Sequence, residues 1–208
     1  MNHIVLIADI VGSRQLTDRR QVQEQLAAVL DRLNSERTQL ASPYTITLGD
    51  EFQAVFDGAG RVFADVFTVM QAMHPVALRF AIAVGPLDTA INPDQAIGMD
   101  GPAFYRARDL LEAMKREDRL VDIAGLPEPD DLMDAALGLF NHQLCKWRAN
   151  RLDVLQYLLR GWEVSAIAES IDITEQSVYK NIRDGGLESA VQLLRSLTDR
   201  LNHALDAC

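Results

Sequence analysis

The stretch that decides the fold is Ile4-Val5-Leu6-Ile7-Ala8-Asp9-Ile10-Val11-Gly12-Ser13-Arg14. Its apolar run is continuous and rich in β-branched residues, a pattern that is typical of a buried strand. Asp9 closes this run, and a carboxylate at the end of a buried strand is costly unless a cation compensates it. The stretch therefore predicts a buried strand over residues 3–11 with a charged group at its end.

A second aspartate stands in a similar setting further along the chain. Asp50 lies in Leu48-Gly49-Asp50-Glu51-Phe52. Apolar residues occupy every second position from Tyr44 to Leu48 and again from Phe52 to Phe56. This alternation predicts two half-buried strands. Gly49-Asp50 is the natural turn between them. We therefore expect Asp50 at the tip of a hairpin.

The rest of the N-terminal part completes a β-α-β-β-α-β order. Apolar residues recur with helical spacing over residues 22–33 and 62–73, and alternation over residues 78–84 predicts the next strand. A third helix over residues 102–116 and a short edge strand over 121–125 follow. This order predicts an α+β fold, a ferredoxin-like antiparallel sheet with helices packed on one face.

The chain divides near its middle. Residues 127–131, Pro-Glu-Pro-Asp-Asp, read as a linker because they are rich in proline and acidic residues. Every periodic segment after them is helical. We therefore predict an α+β domain over residues 1–126 and an all-helical domain over residues 127–208.

Composition limits the partners. The net charge is −10, of which residues 1–139 hold −9 and residues 140–208 hold −1. The acidic part repels nucleic acid, so any DNA contact is expected from the nearly neutral part. No apolar run approaches the roughly 20 residues that span a bilayer, so no membrane partner is expected. Two cysteines, Cys145 and Cys208, without metal-type spacing predict free thiols and a cytoplasmic protein.

The two aspartates allow two interpretations. Carboxylates from neighbouring strands suit a hard cation such as Mg²⁺ or Mn²⁺, which prefers oxygen ligands. A strand-end aspartate can also simply cap the turn that follows it, as Asp often does. The joint placement of Asp9 and Asp50 on one sheet favours the cation or phosphate site.

Asp9-Ile10-Val11-Gly12-Ser13 at a strand end, followed by a helix and by Gly49-Asp50-Glu51-Phe52 on a hairpin, resembles the class III nucleotidyl cyclase domain. The resemblance implies that Asp9 and Asp50 bind Mg²⁺ or Mn²⁺ and that the backbone carbonyl of Ile10 also contacts the metal. The whole chain resembles the SatD family of bacterial proteins.

The same resemblance implies a nucleotide site. Gly12, Ser13 and Arg14 lie where cyclases hold nucleotide phosphates with backbone N–H groups at a helix N-terminus, which is a favourable anion site. The implied ligand is a nucleoside triphosphate or a cyclic nucleotide. The sequence departs from the cyclase pattern further on, where Tyr105 replaces an asparagine and Asp109 replaces the arginine that stabilises the transition state.

The helical part has its own motif. Ile167-Ala168-Glu169-Ser170-Ile171-Asp172-Ile173-Thr174 and the following Ser177-Val178 resemble the helix-turn-helix of bacterial DNA-binding regulators. Asp172 replaces the usual turn glycine and tolerates a left-handed conformation. Thr174 is the predicted N-cap of the DNA-reading helix.

Glutamine and asparagine can read adenine from such a helix, and arginine or lysine can contact guanine and phosphate. The residues predicted to contact DNA are Thr174, Gln176, Ser177, Tyr179, Lys180 and Arg183. Lys146, Arg148 and Arg151 could extend a local basic face. The alternative is a three-helix bundle that contacts protein.

The leucine-rich stripe of the last helix, residues 187–205, fits either a dimer seam or packing against the bundle core. A homodimer is expected, since cyclase-like and helix-turn-helix proteins both tend to work as pairs. We predict a cytoplasmic DNA-binding regulator whose cyclase-like domain senses a nucleotide or a divalent metal. The alternatives are an active metal-dependent cyclase or nucleotidyltransferase acting on ATP or GTP, and an interaction protein with a vestigial cleft.

Overall fold

The computed structural model describes residues 1–36, 38–127 and 131–207. The strands are β1 (Asn2–Ile10), β2 (Leu40–Ile46), β3 (Glu51–Phe56), β4 (Leu78–Pro86) and β5 (Val121–Ala124). The helices are α1 (Arg19–Glu36), α2 (Val62–Met73), α3 (Pro102–Glu117), α4 (Asp131–Leu144), α5 (Ala149–Leu159), α6 (Val164–Ser170), α7 (Glu175–Gly185) and α8 (Leu187–Asp206). The predicted α+β class is confirmed. None of these helices has both the length and the hydropathy to cross a bilayer.

The strands form one sheet in the order β2-β3-β1-β4-β5, so β1 occupies the centre. β1 is antiparallel to both of its neighbours, β3 and β4. β5 lies at the edge and runs parallel to β4. This direction follows from the connection, because the chain passes through α3 between the two strands and a crossover of that length permits a parallel pair.

Helices cover both faces of the sheet. Ile4, Leu6 and Ala8 of β1 belong to one core cluster, which also contains the apolar residues of α1 and α2. Val5 and Ile7 point the other way and pack with apolar residues of α3. The prediction that the helices pack on one face is therefore wrong. The physical reason is that a central strand with a continuous apolar run must be shielded on both sides.

The C-terminal helices extend the first core cluster. Phe67 of α2 stacks edge-on against Phe140 of α4 with ring centroids 6.0 Å apart, and Phe140 meets Trp147 at 5.7 Å. The leucine stripe of α8 is buried in the same cluster. Of the two arrangements expected for it, a dimer seam or packing within the chain, the structure shows the second. The division into domains at residue 127 stays a prediction, and the core of the linker, residues 128–130, lies outside the described residues.

A buried ion pair joins α1, α2 and β2. The Arg61 Nε atom donates to Asp65 Oδ2 at 2.7 Å, and the Tyr44 hydroxyl donates to the same oxygen at 3.1 Å. Another guanidinium nitrogen of Arg61 donates to the Leu33 carbonyl at 3.1 Å. Burial raises the pKa of Asp65, and the Arg61 guanidinium opposes that rise.

Asp65→Ala should lower the free energy of unfolding by about 3–5 kcal/mol, because the variant removes the buried partner of Arg61 and leaves it only the partly exposed Glu36, 3.5 Å away. Urea unfolding followed by circular dichroism measures the change. Glu24→Ala is the control, since it removes an exposed i,i+4 partner of Arg20 at 3.7 Å and should cost at most about 0.5 kcal/mol. Similar losses in the two variants would contradict a stabilising role for the buried pair.

Candidate functional site

The structure brings the segments of Asp9 and Asp50 together. The Ile10 N–H donates to the Asp50 carbonyl at 3.0 Å, and the Ser13 hydroxyl donates to Asp50 Oδ2. The strand register explains this proximity, because Asp9 is paired with Glu51, the first residue of β3. The turn that precedes β3 therefore lies beside the end of β1.

Asp9 is held between two cations. Lys115 Nζ lies 3.4 Å from Asp9 Oδ2, and an Arg79 guanidinium nitrogen lies 4.0 Å from Asp9 Oδ1. Burial raises the pKa of Asp9, the two cations oppose that rise, and the charge of Asp50 adds to it. Asp9 Oδ1 is buried and accepts no hydrogen bond from the described residues. The site thus contains one buried carboxylate oxygen without a close donor.

The cations reach Asp9 from the sheet and from α3. Arg79 is the residue opposite Asp9 on β4, so their side chains share the face that α3 covers. Lys115 comes from α3, as does Arg108, which lies 3.7 Å from Glu51 Oε1. The sequence interpretation missed Lys115. The available signal was its spacing of seven residues from Arg108, which places both on one side of a helix.

Gly12, Ser13 and Arg14 form a tight turn directly after β1. Gly12 adopts φ 65°, and a short 3₁₀ turn follows over Ser13–Gln15. The Ser13 side chain is buried and its hydroxyl is engaged by Asp50, whereas Gly12 and Arg14 are exposed. The first long helix, α1, begins later, and Asp18 Oδ1 accepts a hydrogen bond from the Gln21 N–H in its first turn. Phosphate binding by this turn stays a prediction.

The residues fit one divalent cation better than two. Asp9 and Asp50 offer hard oxygen ligands, and the uncommitted Asp9 Oδ1 has a free lone pair. Lys115 and Arg79 already offset the Asp9 charge, and no group of three or more His, Cys, Asp or Glu in the described ranges is arranged to hold a metal. A single ion would have to displace Lys115, which can remain on Glu112, 2.7 Å away. Metal binding by the Ile10 carbonyl, the third predicted ligand, stays a prediction, and the Ile10 N–H donates to the Asp50 carbonyl.

The positions that depart from the cyclase pattern are engaged elsewhere. The Tyr105 hydroxyl donates to Asp100 Oδ2 at 2.8 Å, and Asp109 is exposed. Arg106 donates to the Val84 carbonyl at 2.9 Å and so fastens α3 to β4. None of these three side chains contacts Asp9 or Asp50 in the described structure.

The predicted DNA-reading helix is α7, which follows α6 after a short turn. Asp172 in that turn has φ 52°, the left-handed conformation expected from its place in the motif. The Ser177 N–H donates to Thr174 Oγ1 at 3.2 Å, so Thr174 caps the helix as predicted. Val178 is completely buried and Ala168 of α6 is nearly so, which fixes the crossing of the two helices.

The opposite side of α7 is open. Gln176, Lys180 and Arg183 are exposed, and Tyr179 keeps 58% of its surface. Thr174 is exposed at the helix start, whereas Ser177 is half-buried. Arg183 lies 3.3 Å from its neighbour Asp184, an exposed pair that contributes little. Five of the six residues predicted to contact DNA are therefore accessible.

The sequence model of the SatD family matches residues 3–193. The chain belongs to the SatD family. No curated protein matches it. This SatD-family chain is similar to two solved structures of a bacterial light-regulated adenylyl cyclase, with 14% and 13% identity and TM-scores of 0.46 and 0.45. The similarity covers 60% and 59% of this chain, which spans 43% of each cyclase chain.

Lys115→Ala should strengthen Mn²⁺ binding by up to about five-fold, since a partly exposed ion pair contributes at most about 1 kcal/mol and the ammonium competes with the ion for Asp9. Isothermal titration calorimetry with Mn²⁺ measures the change. Arg116→Ala is the matched control, because it removes a neighbouring exposed charge that makes no ion pair with a described residue.

Asp9→Asn and Asp50→Asn should each abolish the Mn²⁺ binding of the Lys115→Ala variant. Mn²⁺ binding that survives either substitution would show that the two carboxylates are not its ligands.

Proposed function

We propose that this SatD-family protein is a DNA-binding regulator that places α7 in the major groove. The observation that carries the proposal is the division of α7 into two sides. Val178 anchors one side in the core, while the other exposes Gln176, Lys180 and Arg183. These are side chains that read adenine, guanine and phosphate.

The presentation of α7 supports this function. The B-DNA major groove is about 12 Å wide and admits one helix, provided that the helix protrudes from a rigid support. α7 is capped by Thr174 at its start and by Gly186 after its end, and the φ of 61° at Gly186 lets the chain turn into α8. Its supports, α5 and α6, are joined to the core through Leu155 and Ile167. The helix is therefore held firmly with one polar side outward.

The N-terminal part is proposed to act as the sensor of the regulator. A nucleotide or a divalent cation at Asp9 and Asp50 would act on the sheet that α2 covers. α2 is fastened to α5 by polar contacts, since the Thr68 hydroxyl lies 2.6 Å from Gln156 Oε1 and Gln71 donates to Asp153 at 3.1 Å. These contacts give a direct physical connection between the sheet and the helices that position α7.

A homodimer completes the proposal. Helix-turn-helix regulators generally bind two half-sites about one turn of DNA apart, and two copies of α7 would match that spacing. The leucine stripe of α8 is buried within the chain, so the contact between copies would use another surface. Ligand binding would then change the distance between the two reading helices.

Gln176→Ala and Arg183→Ala should each weaken binding to the preferred duplex by about 5- to 150-fold, since a bidentate base contact contributes about 1–3 kcal/mol of discrimination. The preferred duplex is first selected from a randomised pool, and affinities are then measured by fluorescence anisotropy. Binding to mixed-sequence DNA should change much less.

Gln21→Ala is the control, because it truncates an exposed glutamine on α1, on the acidic part of the chain. Failure of the wild-type protein to bind any duplex would reject the proposal in favour of a protein-contacting bundle. Equal effects of Gln21→Ala and Gln176→Ala would reject α7 as the reading helix.

A further inference from the structure

A basic groove lies between the end of α2, the start of α5 and α7. Its volume is about 580 Å³. We define the basic groove by the side chains that line it: His74, Lys146, Arg148, Asn150, Arg151 and Asn181. Four of them lie close together in sequence, at 146–151, and the fold adds His74 and Asn181; no acidic residue of the described ranges lines the groove.

The cations of the basic groove are not neutralised by acidic residues in the part of the chain that the structure describes. Arg148 and Arg151 make no ion pair with any residue of the described ranges, and Lys146 Nζ contacts only His142 Nε2, at 2.7 Å. Arg151 Nε is buried and has no hydrogen-bond acceptor among the described residues. Because Lys146, Arg148 and Arg151 line the groove without an acidic partner from those residues, the groove is suited to an anionic ligand that supplies acceptors.

The positive charge of the basic groove contrasts with the negative net charge of the chain. The chain as a whole carries −10, yet three cationic side chains line one concave surface. Arg148 is also the N-cap residue of α5, where the backbone N–H groups of the first turn favour a negative charge. Side chains and helix therefore attract an anion to the same place.

The basic groove borders the predicted reading helix. Asn181 belongs to α7 and lies one turn beyond Ser177, whose carbonyl accepts a hydrogen bond from the Asn181 amide at 3.0 Å. Lys180, the residue before Asn181, is exposed. An anion in the groove would therefore lie along one flank of α7.

We propose that the basic groove holds phosphate groups of the DNA backbone beside the bases that α7 reads. This inference rests on the proposed function and adds a division of labour to it. Contacts to phosphate fix the position of a protein on DNA, whereas contacts to base edges select the sequence. Lys146, Arg148 and Arg151 supply the first kind of contact, and the outward side of α7 supplies the second.

Lys146→Ala and Arg148→Ala test the groove. Each should weaken binding to every duplex by the same factor, because phosphates carry no sequence information. Each should also reduce the slope of log K against log salt concentration by about 0.9, and the double variant by about 1.8. The probes are the selected duplex and a mixed-sequence duplex of about 30 base pairs, near three helical turns.

Arg32→Ala is the matched control, since Arg32 is exposed on α1 and makes no ion pair in the described structure. Lys146→Glu is a second test at an exposed position, and it should weaken binding more than Lys146→Ala because it adds a negative charge beside the phosphates. Circular dichroism of every variant establishes that the fold is intact.

The outcomes separate the two proposals. If the wild-type protein binds no DNA, both the proposed regulator function and the proposed phosphate role of the groove are rejected. DNA binding that responds to Gln176→Ala, but has the same affinity and salt slope in Arg148→Ala, Lys146→Glu and Arg32→Ala, would reject the groove alone. A groove variant that changes the ratio of the affinities for the selected duplex and the mixed-sequence duplex would also overturn the phosphate role.

Discussion

The burial of β1 on both faces is the constraint on which the structure depends. Both faces of this strand are apolar, so each face must be shielded from water by helices. α1 and α2 cover one face and α3 covers the other. The position of α3 then decides the electrostatics of the strand end, because it brings Lys115 over Asp9.

The strand end shows how a carboxylate pair can be stabilised by the chain itself. In a buried setting a carboxylate needs a cation, and that cation can be a metal or a side chain. Here an ammonium and a guanidinium share Asp9, while Asp50 is held by a hydroxyl and by the backbone of β1. A metal ion at this place would therefore have to compete with groups that belong to the protein.

The helical part shows that net charge describes a surface poorly. Residues 140–208 are almost neutral in sum, which argues against a partner as negative as DNA. In the folded chain Asp153 turns toward Gln71, and Arg160 lies 3.8 Å from the buried Asp65. Lys146, Arg148 and Arg151 line a groove at the other end of α5, and no acidic residue of the described ranges lines it with them. Folding thus separates charges that cancel in the sequence.

The sequence by itself determined the features that depend on neighbouring residues. Periodicity located the strands and helices, the motif placed Asp172 in a left-handed turn, and Thr174 was recognisable as a cap because a cap bonds to its own helix. Only the tertiary structure decided that α3 covers the second face, that Arg79 and Lys115 flank Asp9, and that His74 and Asn181 line the same groove. These contacts join residues far apart in the chain, and such pairings are set by how whole elements pack, which local patterns do not encode.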